Sequence, residues 1–221
     1  MTTQLKTIAS KETAPQASVQ LTASTVPARA GAWMRSPELA EALVEIESTI
    51  ERPGHETASL RAQTKRWLKR ELGFIGNPQF AQSGAGSKIF SETLGLAPRR
   101  SELGIAAIRK SGVDLPIHLS RLCEAPLLTQ QQEQLLFQRM NFLMHQASIH
   151  RSLLNPERPS RARLVLIEKL VALAEWHRDR IVEANLRLVF SIVKKFVNPN
   201  NRFDDLLSDG IVGLIRAVEK F

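Results

Sequence analysis

Two polar insertions in otherwise apolar helical patterns are the residues of this chain best placed to do chemistry. Asn185 interrupts the apolar positions of the run Val182 to Val197, and Asp205 and Asp209 share a side with Val212 in the run Phe203 to Phe221. A buried amide needs partners, because an unsatisfied one costs about 1–3 kcal/mol. Asn185 therefore reads either as a core amide bonded to neighbouring backbone or as the polar wall of a ligand pocket, and the residue alone leaves both open. The second pattern is more directional. Asp205, Ser208, Asp209, Val212 and Arg216 fall on one side, flanked by Ile211 and Ile215. Carboxylates mixed with aliphatics make an acidic patch with apolar anchors, which suits a basic protein partner: charge sets the docking and desolvated anchors supply the affinity.

No catalytic set competes with these. The five histidines show no HExxH or similar ligand spacing, His145 and His150 stand five apart, and there is no glycine-rich phosphate loop. Asp204 and Asp205 lack a pocket partner that would split their pKa values for acid–base work. Cys123 is the only cysteine, so neither an internal disulfide nor a cysteine metal cluster forms, and it reads as a small buried hydrophobe. The expectation is a protein that is not an enzyme and carries no cofactor or metal.

Composition allows a core and favours a polyanionic partner. The 221 residues are 43% hydrophobic, with 5% aromatics and no tyrosine, and 30 Lys+Arg against 22 Asp+Glu give a net charge of +8. Such an excess steers a chain toward nucleic acid. No apolar run is long enough for a signal peptide or a membrane span, so a cytoplasmic location and no membrane partner are expected.

The elements that must position these residues are helices. Residues 1–32 are rich in Ser, Thr, Ala and Gln and hold too little apolar surface to offset their ordering entropy, which predicts a disordered tail. Ser36-Pro37-Glu38 predicts a capped helix start carrying Leu39, Leu43, Ile46 and Ile50 and ending at Pro53-Gly54. A second helix is predicted over Ala58 to Leu72. Its Arg61, Lys65 and Lys69 recur every four residues beside Arg66 and Arg70, as either a solvated face or a DNA-backbone contact. Residues 77–112 are Gly/Ser/Pro-punctuated, with Ser83 to Ser87 as the clearest linker. The spacing predicts a short helix with Leu119 and Leu122. A longer one follows, opened by a Thr129/Gln132 capping box and striped by Leu136, Met140, Leu143 and Ala147. Another begins near Arg161 and carries Leu164, Ile167, Leu170, Val171 and Ala174 toward the Val182 run. On that run Ile181, Leu188, Ile192 and Phe196 are expected to face inward and Glu183, Arg187, Ser191 and Lys194 outward. In the last run Phe203, Leu207, Leu214 and Phe221 are expected inward, with Gly210 and Ala217 allowing close approach; Gly210 and Gly213 both call for a packing reason.

The stretch EANLRLV…SI.KK…FDDLLSDG..GLIRAVEKF resembles the early part of conserved region two of housekeeping-type bacterial RNA polymerase sigma factors. Upstream, Asp114 to Arg139, with Leu127-Leu128-Thr129 and Gln132-Glu133, is similar to the family's region one-point-two. Together the match covers about half of the chain. The expected architecture is all-α: a disordered tail over 1–32 and a variable helical region with linker over 33–112, both read from composition and pattern, then region one-point-two plus a partial core-binding domain over 113–221, as the resemblance implies.

It also implies roles. The exposed face of the last helix, Asp205, Ser208, Asp209, Ile211, Val212 and Ile215, would bind the clamp coiled coil of the polymerase β′ subunit. Ser208 and Ile211 depart from the Gln and Asn usual there, which leaves Asp205 and Asp209 as the principal contacts. Asn185 and Leu188, with Glu133, would cradle a flipped thymine of the non-template promoter strand, and Lys194 and Lys195 would contact its backbone. His118 stands where the family commonly has Tyr, and the resemblance ends at Phe221, before the aromatic-rich stretch and the −10 reading helix. The implied function is to bind core polymerase and promote promoter-specific initiation. A helical regulatory or decoy module that occupies the clamp without activating transcription is the alternative.

Overall fold

The computed structural model describes residues 31–96 and 125–220. The expected tail up to Ala30, the short helix with Leu119 and Leu122, and residues His118, Cys123 and Phe221 lie outside them. The described residues form an all-helical protein. A 3-10 turn at Ala32–Arg35 leads into α1 (Pro37–Ile46) and α2 (Thr57–Lys69). A second 3-10 turn at Pro78–Ala81 precedes the short α3 (Ala85–Ile89). Three long helices follow: α4 (Gln130–Ser152), α5 (Arg161–Val193) and α6 (Phe203–Lys220). None of them is long and apolar enough to cross a membrane.

The core is the antiparallel pair α4 and α5. The start of α4 meets the far end of α5 where Asn185 reaches Glu133, and the end of α4 meets the start of α5 where Arg163 donates to the Leu153 carbonyl. Leu136, Met140, Leu143 and Ala147 are buried against Leu164, Ile167, Leu170, Val171 and Ala174, the two stripes the periodicity predicts. The Thr129/Gln132 capping box closes as expected: Thr129 Oγ1 accepts from Gln132 N at 3.2 Å and Gln132 Oε1 from Thr129 N at 2.9 Å. At 33 residues, α5 runs unbroken for about 50 Å, so the Val182 run is its second half rather than a separate helix.

Residues 32–96 pack on this pair and share its core. Trp33 stacks on Phe90 (5.1 Å, 12°) and meets Phe142 of α4 edge-on at 5.2 Å. Gly86 lies against that indole: a Cβ there would stand 2.4 Å from Trp33 Cδ1. The Ser83–Ser87 stretch, expected as a linker, is instead a turn with Gly84 at φ 76° feeding α3, its glycines serving backbone geometry and close packing. Ser36 precedes α1 without capping it; its Oγ is buried with no hydrogen-bond partner among the described residues. Ile50 falls beyond the end of α1, and α2 stops at Lys69, before the expected Leu72. Glu38, in the first turn of α1, accepts from the fully buried Arg139 at 2.7 Å and from Leu94 N at 2.8 Å, tying α1 and the α3 loop to α4.

Candidate functional site: two faces on the C-terminal hairpin

The capping box that starts α4 also fixes Glu133 in its first turn. Gln132 adds two anchors, donating from Nε2 to the Leu94 and Gly95 carbonyls at 3.0 Å each. Glu133 thus projects from a rigid helix start toward α5, where Asn185 Nδ2 donates to its Oε1 at 3.3 Å and to the Ile181 carbonyl at 2.9 Å. Both bonds use Nδ2, so Oδ1 has no partner among the described residues. Both side chains are half-buried. The two readings left open for Asn185 therefore merge: it is bonded to its own helix backbone, and it also stands at a solvent-accessible polar pair.

The surroundings of that pair differ from the expected helix face. Ile181 is buried, but Leu188, Ile192 and Phe196 are 55%, 45% and 60% exposed. The buried side of this half of α5 is Val182, Leu186, Val189, Phe190 and Val193, about a quarter turn away. The cause is α6, which lies across Val189 and Val193. As a result Asn185, Leu188, Ile192 and Phe196 form an accessible row with a polar head and an apolar length; Lys194 and Lys195, at the end of the helix, are also exposed. Ile192 and Phe196 are surface residues that the periodicity assigned to the core. The asparagine within their stripe was the one sign that the stripe was not fully buried.

After α5 the Asn198–Asn201 turn reverses the chain. Asn198 Oδ1 accepts from the backbone N of Asn200 and Asn201 at 3.0 and 2.9 Å, so the asparagine run serves as hydrogen-bonding turn chemistry. Helix α6 then returns antiparallel to α5. Phe203 stacks on Phe190 (6.2 Å, 24°), Gly210 admits Val189, and Glu219 pairs with Arg178 at 3.3 Å. Gly210 has the expected packing reason: a Cβ would stand 2.7 Å from Val189 Cγ1. Gly213 has none, since a Cβ there would meet nothing within 4 Å, and Ala217 is exposed rather than a close-approach residue.

The outer side of α6 carries Asp205, Ser208, Asp209, Val212 and Arg216, all exposed, with Val212 at 46%. Asp205 and Asp209 form no ion pair among the described residues. Ser208 Oγ donates to the Asp204 carbonyl of its own helix at 2.9 Å. Ile211 and Ile215 pack partly against the core and keep only part of their surface outward. No group of His, Cys, Asp and Glu among the described residues could hold a metal ion.

Comparison with known proteins matches the same segment. The family model described as Sigma-70 region 2 covers residues 181–221. The RNA polymerase sigma factor SigA of Nostoc sp. is 54% identical over 44 residues, 20% of this chain and 11% of that protein. SigA of Synechocystis sp. is 54% identical over 44 residues, 20% of this chain and 10% of that protein. The RNA polymerase sigma factor SigA4 of Synechococcus elongatus is 31% identical over 122 residues, 55% of this chain and 36% of that protein. The matches thus span about a tenth to a third of these relatives. No solved structure matches the chain. Residues 181–221 match the Sigma-70 region 2 model, and the relatives named here are sigma factors of the SigA type, each covered only in part.

Proposed function

We propose that the chain binds core RNA polymerase through the outer face of α6 and takes part in promoter-specific transcription initiation, in the cytoplasm, with catalysis left to the polymerase. The observation that carries this reading is that Asp205, Asp209 and Val212 stand exposed together within the sigma-70 region 2 segment. Two carboxylates without an ion pair among the described residues steer a cationic partner, such as the β′ clamp coiled coil, and the adjoining aliphatic surface of Val212, Ile211 and Ile215 supplies apolar contact once docked. Ser208 contributes little beyond shape, because its hydroxyl is already engaged by its own helix.

The second face fits promoter DNA. Asn185 Oδ1 is available to accept from the edge of an extruded base, and Glu133 holds the amide in orientation. Leu188, exposed, would offer an apolar wall, and exposed Lys194 and Lys195 would contact the backbone of the non-template strand. The polymerase contact is tested by retention of the chain on immobilised core polymerase. Asp205→Arg/Asp209→Arg is expected to reduce retention at least about tenfold, a change of about 1.4 kcal/mol. Equal retention of the two chains would contradict it.

A further inference from the structure

The outward face of α2 carries cations that form no ion pair among the described residues. Between Thr57 and Lys69 the helix holds Arg61, Lys65, Arg66 and Lys69 and no acid. Arg66 is engaged by Glu51, and Arg70, just past the helix end, pairs with Glu175 at 3.2 Å. Arg61, Lys65 and Lys69 are exposed and form no ion pair among the described residues. They follow at four-residue steps, about 6 Å apart along one side. Like charges at this spacing disfavour a helix, a cost that an external anion would reverse.

The ridge does not end with α2. Arg151 of α4 donates to the Arg70 carbonyl, and Arg163 of α5 donates to the Leu153 carbonyl nearby. His150, which directly precedes Arg151, is held below its usual pKa by burial and then by the Arg163 charge. Among the described residues the exposed acids bordering the ridge are Glu56, at the start of α2, and Glu71 and Glu157 at the other end, while Glu51 and Glu175 are engaged by Arg66 and Arg70.

We propose that Arg61, Lys65 and Lys69, extended by Arg151 and Arg163, form a sequence-independent contact for the phosphate backbone of duplex DNA, outside the sigma-70 region 2 segment. The three α2 cations span about 12 Å, a length over which a duplex carries about seven phosphate charges. An acidic protein is the weaker occupant. Protein docking draws its affinity from desolvated apolar anchors, and the only large apolar side chain exposed on α2 is Leu68, at 40%. Phosphate binding needs no such anchor, because released counterions supply the free energy.

The test is binding of the full chain to a short duplex lacking promoter sequence, followed by fluorescence anisotropy across a salt series. Arg61→Gln/Lys65→Gln/Lys69→Gln is expected to flatten the plot of log K against log salt by about 2.7, three contacts at about 0.9 each. Helical content should hold, since the changes remove like-charge pairs from exposed positions. An unchanged slope and affinity would overturn the proposal. So would saturable binding of polyglutamate through these residues with no binding of the duplex. The readout does not depend on α6: a chain carrying Asp205→Arg/Asp209→Arg still shows the duplex contact, so this inference and the polymerase reading fail separately.

Discussion

Asn185 on α5 and Glu133 on α4, 52 positions apart, meet through one Nδ2–Oε1 hydrogen bond of 3.3 Å. That contact sets the register of the two longest helices at the end where the candidate DNA face lies. Asn185→Ala should lower stability by about 1 kcal/mol, the usual net worth of such a bond. Asn185→Asp should lower it further at neutral pH, because two carboxylates would then face one another. Their repulsion raises the folded-state pKa of the pair, so the folded variant binds more protons than the unfolded one and its stability falls as pH rises through the carboxylate range. Urea unfolding of the three chains at several pH values checks this: the Asp and Ala variants should converge as pH is lowered.

Gly210 and Gly213 sit three residues apart on α6 and should respond oppositely to alanine. At Gly213 the site is open, so Gly213→Ala should stabilise by up to about 1 kcal/mol through helix propensity. At Gly210 the new methyl would stand 2.7 Å from Val189 Cγ1, a stiff β-branched neighbour, and overpacking of this kind costs about 1–3 kcal/mol. Thermal melts of the two single variants should move in opposite directions.

His177 is fully buried, with Nδ1 donating to the Leu173 carbonyl at 2.7 Å and Nε2 without a partner among the described residues. Burial is the main reason its pKa is lowered to about 4, with the charges of Arg139 and Arg180 acting the same way and the Leu173 carbonyl opposing them. The unfolded chain titrates this group near its ordinary value of about 6.5. The folded state therefore binds fewer protons, and its stability is complete above about pH 6.5 and is lost as pH falls toward 4. The loss from this group is on the order of 3 kcal/mol. His177→Phe should flatten the dependence of the urea midpoint on pH across that window, whatever it does to the midpoint itself.

Arg139 is wholly buried, and its guanidinium lies over the Phe90 ring at 4.8 Å while pairing with Glu38. Removing one member of a buried pair strands the other charge, which costs about 3–5 kcal/mol. Glu38→Ala should show a loss of that order in denaturant unfolding, and Glu38→Ala/Arg139→Met should recover much of it. Equal stability of the single and double variants would argue that the Ile89 and Glu92 carbonyls alone satisfy Arg139.

Much of the hairpin was legible in the sequence because its signals are local. Thr129 and Gln132 define the start of α4 within four residues, and the stripes of α4 and early α5 follow one clear period. The second half of α5 was not legible in the same way, because it is apolar on two adjoining sides. Local pattern could not choose between Ile181-Leu188-Ile192-Phe196 and Val182-Leu186-Val189-Val193. The choice is made by α6, whose Gly210 brings the chain down on Val189. Residues 31–96 were harder still. The contact of Trp33 with Gly86 and the pair Glu38–Arg139 join positions 53 and 101 apart, and no periodicity encodes such partnerships. Of the candidate site, the aspartate face of α6 was visible as a pattern, while the exposure of Ile192 and Phe196 was visible only as an asparagine out of place.

The central claim is that the aspartates of α6 meet a cationic surface of the polymerase, and charge exchange across that contact tests it directly. The dissociation constant for core polymerase is measured for the native chain and for Asp205→Arg/Asp209→Arg, each against native polymerase and against polymerase whose clamp coiled coil has its basic residues made acidic. Docking through these carboxylates predicts that each single-sided reversal weakens binding at least about tenfold and that the doubly reversed pair recovers most of it. Weakening with no recovery, or no weakening at all, would contradict docking through Asp205 and Asp209.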